Sequence, residues 1–301
     1  MERIEIKLKS RFSLDKTLKS EQCAADLWFL EGKCWCSYLP IENKWVKVML
    51  RQVGNKILVK FSPSAKAERV KSLISYIFSL DCKIDEISQA FRDDRYLAKV
   101  LRQCSGLRIM RDINKEYRIL EALLTQNTSV RMIKRMQRLL FLCYGERVRV
   151  GNELISTYPD IGKIARERVE TLKEKCRLGY RAIYLKNIAR KLSSGEIKIE
   201  ELEKMSSEKA KRFLMRFRGI GNKVSDIILM YGFGKPDVFP LDSWVRNAIK
   251  REYFGNSKID DREIYRFAKE YFGSYASIIN LMIFFYERKN KNLFFNYCVW
   301  K

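Results

Sequence analysis

One stretch constrains this chain more than any other: Phe217-Arg218-Gly219-Ile220-Gly221-Asn222-Lys223-Val224-Ser225-Asp226, followed by Pro240-Leu241-Asp242. Two glycines flank one apolar residue, with apolar helical sequence on either side. Such a stretch stops a helix, turns it through a tight hairpin and restarts it. Gly219 and Gly221 are expected to take backbone angles closed to other residues and to let another backbone approach closely. The restarted helix presents unpaired amide hydrogens and a positive dipole end, a site ready for a phosphate. Lys223 falls in its first turn, and the carboxylate of Asp242 follows. A phosphate-binding backbone beside an amine and a carboxylate is what an enzyme acting on DNA needs.

Each of these side chains has a plain reading and a chemical one. Lys223 stands at a positive helix end among apolar Val224, Ile227 and Ile228. Both surroundings disfavour the ammonium and leave a usable amine nucleophile. The plain reading is a lysine that touches a phosphate beside the hairpin. The helix from Lys223 to Met230 rises about 1.5 Å per residue and ends in Gly232-Phe233-Gly234-Lys235-Pro236. The extended segment up to Leu241 is long enough to return. Asp242 is therefore expected near Lys223, at the N-cap of the next helix, ahead of Ser243 and Trp244. Cap and catalyst are compatible, because capping fixes the carboxylate in place.

The composition narrows the chemistry further. The 301 residues include no histidine, which removes Ser-His-Asp and Cys-His nucleophiles, two-histidine metal sites and histidine bases together. Lys plus Arg number 60 against 36 acidic residues, a net charge of +24. An excess of this size favours a polyanion, because neutralised phosphates release condensed counterions. A thermophile's Lys-rich surface or a membrane-surface protein gives the same balance. Cysteines stand at 23, 34, 36, 82, 104, 143, 176 and 298, with no CxxC pair. Most are expected to be reduced core residues of a cytosolic protein. The alternating start Met1-Glu2-Arg3-Ile4-Glu5-Ile6-Lys7 is no signal peptide. The longest apolar run, around Ile278 to Tyr286, is too short to span a bilayer. The expectation is a soluble intracellular protein with no membrane partner, cytoplasmic or nucleoid-associated, or nuclear in a eukaryote.

The hydrophobic period changes once along the chain. Ile4, Ile6 and Leu8 alternate with charges, as do Ile57, Val59 and Phe61 after the Val53-Gly54-Asn55 turn. Cys34 to Leu39 and Trp45 to Val53 are aromatic or β-branched runs separated by Pro40 and Asn43. These predict an antiparallel sheet covered by a helix over 67–80. From about residue 84 the period is helical. Val130, Ile133, Met136, Leu139, Leu140 and Cys143 mark one helix face, stopped at Gly145. Further helices are expected at 112–125, 162–175, 180–193, 208–217, 222–231, 243–252, 261–271 and 276–289. Asp260 and Glu263 have capping-box spacing, with Ile259 and Ile264 placed as a staple. The fold class is α+β: an N-terminal antiparallel β domain, residues 1–83, followed by a mainly α-helical region, residues 84–301.

Gly219 to Asp226 together with Pro240-Leu241-Asp242 resembles the helix-hairpin-helix DNA glycosylases of base excision repair. The lysine places the resemblance with the bifunctional members, which release a base and then cleave the strand. The iron–sulfur branch carries four closely spaced C-terminal cysteines, whereas only Cys298 follows Cys176 here. Within the family the chain is most similar to the 8-oxoguanine DNA glycosylase/AP lyases with an added N-terminal sheet domain, whose helical region forms two lobes around the active site. Leu124-Thr125-Gln126-Asn127-Thr128-Ser129 resembles the loop whose asparagine enters the gap opposite the flipped base, which maps to Asn127. Leu178-Gly179-Tyr180-Arg181-Ala182 resembles the segment whose tyrosine wedges into the stack and whose arginine reads the opposing cytosine. Gly273-Ser274-Tyr275-Ala276 through Phe284 resembles the helix lining the base pocket. There Asn280 would contact the Watson–Crick edge and Phe284 would stack on the purine. The similarity runs from about Phe12 to Tyr286 and is faint before residue 105.

Taken singly, Tyr180 and Phe284 are more often core aromatics, Asn127 a helix cap and Arg181 a solvated charge. The sequence also departs from the family. Glu21 stands where relatives have a glycine that senses the extra ring hydrogen of 8-oxoguanine. Asn280 is shorter than the usual glutamine, Ile227 replaces a cysteine and Trp244 a histidine. What the resemblance implies is an enzyme on double-stranded DNA containing a damaged base, and a monomer is the simplest expectation for wrapping one lesion. It excises 8-oxoguanine and cleaves the strand by β-elimination through a Lys223 Schiff base, with Asp242 stabilising the developing charge. Gly219 and Gly221 would hold backbone phosphate. No cofactor or metal is implied, beyond a monovalent cation on the hairpin carbonyls. Two alternatives stay open: the same chemistry on an alkylated or deaminated base, and a non-catalytic helix-hairpin-helix DNA-binding protein.

Overall fold

The computed structural model describes residues 1–22, 25, 27–82, 84–255, 257–289 and 300. Five antiparallel strands come first: β1 (Glu2–Lys7), β2 (Phe29–Glu31), β3 (Cys34–Ile41), β4 (Lys44–Val53) and β5 (Lys56–Phe61), in the spatial order β1-β5-β4-β3-β2. Alternation sets the register. Ile4 pairs with Val59, Val59 with Leu50 and Leu50 with Trp35, so one apolar face runs across the sheet. Glu42 and Asn43 both take positive φ, 49° and 63°, the geometry that closes a two-residue hairpin between twisted strands. A five-residue helix, α1 (Leu14–Leu18), capped by Ser13, is too short for periodicity to reveal. The covering helix α2 (Ala67–Ile77) buries Val70, Ile74 and Ile77 in the sheet's core and stops short of the expected residue 80.

The helical region follows with α3 (Asp85–Ala90), α4 (Arg95–Gln103), α5 (Lys115–Leu124) and α6 (Val130–Tyr144). After it come α7 (Ile161–Arg166), α8 (Val169–Cys176), α9 (Arg181–Ser193), α10 (Ile199–Lys204) and α11 (Ser207–Leu214). The last four are α12 (Asn222–Ile227), α13 (Ser243–Tyr253), α14 (Asp261–Phe267) and α15 (Ala276–Lys289). Several expectations need correction. The single helix over 162–175 is two, because Glu167 turns extended (ψ 154°) and its carboxylate accepts the Arg168 amide. The helix expected from 112 starts at Lys115, since Asn114 caps it and Asp112 is drawn instead to Arg118. A hairpin of β6 (Arg147–Val150) and β7 (Glu153–Ser156) interrupts the helices and was not expected. Two π-helical turns, Ile228–Gly232 and Ala268–Phe272, continue α12 and α14. The capping box at Asp260 and Glu263 is present in both directions.

The core above the sheet does not stop at the expected boundary, residue 83, which itself lies outside the described residues. It takes in Tyr117, Phe141, Tyr158 and Trp300 from the later chain. Trp300 is fully buried, 5.2 Å from the Phe141 ring and 6.1 Å from the Tyr38 ring, and its Nε1 donates to the Leu27 carbonyl at 2.6 Å. Of the cysteines expected in the core, 36, 104 and 176 are buried, whereas 82 and 143 are exposed; all of these are free thiols. Cys23 and Cys298 lie outside the described residues. No described helix is long and apolar enough to cross a membrane.

Candidate active site

The hairpin is made as the glycines suggest, but by one glycine more than by the other. Between α11 and α12 the chain folds back through Gly219, whose φ is +97°, and Ile220 sinks into the helical core at 4 % exposure. A Cβ on Gly219 would lie 2.6 Å from the Tyr184 ring. Gly221 instead takes φ −99° and ψ −171°, extended backbone open to any residue, so the expectation of a special angle there fails. What Gly221 supplies is room: nothing lies within 4 Å of where its Cβ would stand, at the N-cap of α12. No side chain caps that helix, so none of its first amides is taken by a capping side chain.

Lys223 and Asp242 meet in one cavity of about 600 Å³, which Thr125, Ile227, Tyr231, Asn280 and Phe284 also line. The half-buried Lys223 donates from Nζ to the Thr125 carbonyl at the end of α5, 3.3 Å away. Asp242 caps α13 as expected, its Oδ1 accepting the Val245 amide at 2.8 Å. Burial holds the Asp242 carboxyl above its usual value, opposed by the Val245 amide, the Lys223 charge, the Trp244 amide and the Arg288 charge. A carboxylate so placed can accept a proton or balance a nearby cation. An amine and a poised carboxylate facing one cavity can perform nucleophilic substitution followed by proton removal.

The remaining expected residues divide. Phe284 lines the cavity, half-buried. Asn280 lines it too, but it is 5 % exposed and donates its Nδ2 to the Pro240 carbonyl at 3.0 Å. Its amide thus fixes the turn that carries Asp242. Asn127 sits exposed at the rim with φ +41°; Ser129, not Asn127, caps α6. Tyr180 is 45 % exposed at the start of α9, edge-on to Tyr184 beneath the hairpin. Arg181, whose resemblance implies a reader of the opposing base, is 7 % exposed and spends its guanidinium within the protein. Its Nε donates to the Gln126 carbonyl at 3.1 Å and its Nη2 to the carbonyls of Gln126 and, at 3.2 Å, Asn127. It braces the Asn127 loop and is not a solvated charge.

Two groups of the site carried no assignment in the sequence. Arg288 lies one turn beyond Phe284 on α15, a spacing that marks the same helix face. Its Nη2 meets Glu21 Oε2 at 2.6 Å, and both residues line the cavity. Glu21 holds the left-handed backbone suited to a glycine, φ +58°. Asp226, one turn after Lys223, is fully buried and accepts Lys211 Nζ at 2.8 Å, tying α12 to α11. Burial pushes its carboxyl up to about 6, with Lys211 and Tyr265 opposing. Tyr265 also hydrogen-bonds the Leu241 backbone, so the hairpin and the Asp242 turn are linked through it. Among the described residues no group of three or more Cys, Asp or Glu is placed to hold a metal. The monovalent cation expected at the hairpin would rest on backbone carbonyls, of which those of Phe217 and Gly221 already accept the amides of Ile220 and Ser225.

Comparison with known proteins gives the family. The family model described as HhH-GPD superfamily base excision DNA repair protein matches residues 120–273. The one described as 8-oxoguanine DNA glycosylase, N-terminal domain, matches residues 4–134. A probable N-glycosylase/DNA lyase of Methanothermobacter thermautotrophicus is 26 % identical over 93 % of this chain and 94 % of its own. Two solved structures share the fold. MBOgg1 in complex with a low-affinity DNA ligand has a TM-score of 0.85 at 24 % identity, covering 96 % of each chain. The Clostridium acetobutylicum 8-oxoguanine glycosylase/lyase, bound to DNA with cytosine opposite 8-oxoguanine, has a TM-score of 0.83 at 23 % identity, covering 95 % of this chain and 98 % of that one.

Proposed function

The chain belongs to the HhH-GPD superfamily of base excision DNA repair proteins, and we propose that this enzyme flips 8-oxoguanine out of duplex DNA, excises it and cleaves the strand through a Lys223 Schiff base. The observation that carries the reading is the convergence of Lys223, Asp242 and Phe284 on one cavity of about 600 Å³. Flipping costs a few kcal/mol, least for a damaged pair. The first amides of α12 hold backbone phosphate, and Asn127 and Tyr180 at the rim help fill the vacated space. The Lys223 amine, once deprotonated, attacks C1′ of the sugar as the base departs with the glycosidic electron pair. Opening of the sugar ring gives the Schiff base. Loss of a C2′ proton then expels the 3′-phosphate, and water releases the lysine. Asp242 stabilises the oxocarbenium charge and accepts protons. The reading needs no cofactor and a single protein copy.

The same cavity on an alkylated, cationic base is the rival that Glu21 invites, since a carboxylate would attract such a base. Its charge is already met by Arg288 at 2.6 Å, which favours the neutral 8-oxoguanine. A non-catalytic DNA-binding module gives no reason for Lys223 and Asp242 to share a cavity. The test is borohydride trapping on 8-oxoguanine:cytosine, abasic and undamaged duplexes. An adduct on the lesion duplex, lost in Lys223→Gln, is expected. An adduct on the abasic duplex alone moves the substrate to another lesion, and no adduct anywhere refutes the enzyme mechanism.

A further inference from the structure

Outside the cavity, two cysteines that its chemistry leaves unused stand in contact. Cys143 lies near the end of α6 and Cys176 closes α8, and the two helices pack against each other. Their thiols share a hydrogen bond. Cys176 is fully buried in the helical core, where it serves as a small apolar side chain. Cys143 is exposed, so packing gives no reason for a sulfur there. Neither lines the cavity that holds Lys223 and Asp242.

The two sulfurs are unequal in reactivity. Burial, and next the Cys143 thiol, push the Cys176 thiol well above its usual range, with the Lys175 charge opposing. The thiolate is the reactive form, so buried Cys176 reaches no oxidant unaided, whereas Cys143 meets solvent. An exposed thiol touching a second thiol is the arrangement in which a first oxidation is resolved within one chain. The Cys143 thiolate attacks a hydroperoxide and takes up one oxygen as a sulfenic acid. The O–O bond breaks, and the other oxygen leaves as water or an alcohol. Cys176 then attacks the Cys143 sulfur, its proton departs with the hydroxyl as water, and an S–S bond closes. The two thiols lose two electrons, and the peroxide gains them.

The place of that bond gives it a mechanical consequence. Cys176 is followed by Arg177 in the left-handed region (φ 54°), buried Leu178, Gly179 at φ 56° and then Tyr180 at the start of α9. The Leu178 carbonyl accepts the Arg181 amide at 3.2 Å. A cross-link at Cys176 fastens the root of the turn that presents Tyr180 onto α6.

We propose that Cys143 and Cys176 are a modification site, forming a reversible disulfide when a hydroperoxide oxidises the protein and clamping α8 to α6. In the test the full chain is treated with hydrogen peroxide, alkylated, digested and mapped by mass spectrometry, beside Cys143→Ser and Cys82→Ser. A Cys143–Cys176 linked peptide, released by dithiothreitol, is expected in the wild type and in Cys82→Ser and is absent from Cys143→Ser. Cys82 is the control because it too is exposed, with Arg111 Nη2 3.3 Å from its sulfur. The cross-link restrains the unfolded chain, so the oxidised wild type should melt about 5 °C or more above the reduced one. Cys143→Ser should show no such rise. Cys143 recovered unoxidised, as a sulfinic acid or bonded to any other cysteine overturns the inference, as does a Cys176 link that leaves the melting midpoint unchanged. Neither readout involves DNA, so both stand apart from the excision reading.

Discussion

Replacing each hairpin glycine by alanine separates a folding requirement from a binding one. At Gly219 the new Cβ would meet Tyr184 Cγ at 2.6 Å and Tyr184 Cβ at 2.8 Å, contacts with the root of that side chain. The root cannot swing away as a ring edge can. Alanine at φ +97° also occupies backbone space costing about 1–3 kcal/mol. Forcing Tyr184 aside adds about 1–3 kcal/mol, so Gly219→Ala should destabilise by about 2–6 kcal/mol in total. At Gly221 the backbone is extended and no atom lies within 4 Å of the new Cβ, so Gly221→Ala should stay within about 0.5 kcal/mol of wild type. Urea unfolding followed by circular dichroism measures both. Duplex affinity then adds the second half: Gly221→Ala should bind more weakly at unchanged stability, because its methyl stands where a phosphate approaches the α12 amides. Equal destabilisation by the two substitutions would refute the geometric argument. A stable Gly221→Ala with wild-type affinity would refute the phosphate site.

Three further outcomes are expected. Asp226 is raised from 3.8 to about 6, so it holds its proton more tightly folded than unfolded. Its contribution favours folding below pH 3.8 and is lost as pH rises through about 6. Asp226→Asn should flatten urea-unfolding stability across that window, and an unchanged slope would assign the titration elsewhere. Arg181→Met leaves the Gln126 and Asn127 carbonyls without their donor, so excision should fall alike opposite all four bases; a loss confined to cytosine would restore Arg181 as the reader. Trp300→Ala should cost about 3–5 kcal/mol through the cavity it leaves, and a thermal unfolding shift worth under about 1 kcal/mol would deny Trp300 its place in the core.

What the sequence made legible was local. The hairpin, the Asp242 cap, the Asp260 capping box and the alternation of β1 and β5 all depend on residues within a few positions of one another. The β6–β7 hairpin was legible too, in the alternating Arg147-Val148-Arg149-Val150 before Gly151-Asn152, but it lay inside a helical stretch that masked it. The break at Glu167 was not, because neither glycine nor proline marks it and a carboxylate that accepts the next residue's amide looks in sequence like any helical glutamate. Site residues were found by type, without their partners. Arg181 and Asn280 donate to the carbonyls of Gln126, Asn127 and Pro240. Such partners lie far off in the chain, and no local pattern records them. The Glu21–Arg288 pair was hidden for the same reason.

That long reach bears on how the molecule acquires its competence. Lys223 is fastened to Thr125 across 98 positions, and Trp300 to Leu27 across 273. Contacts of such span close late, after the entropy of large loops has been overcome. The net charge of +24, by contrast, is present from the first collapsed state. A refolding chain should therefore cling to DNA before it can cut it. In a stopped-flow refolding experiment, fluorescence from bound duplex should rise ahead of the first trappable Schiff base, with a lag set by assembly of the cavity.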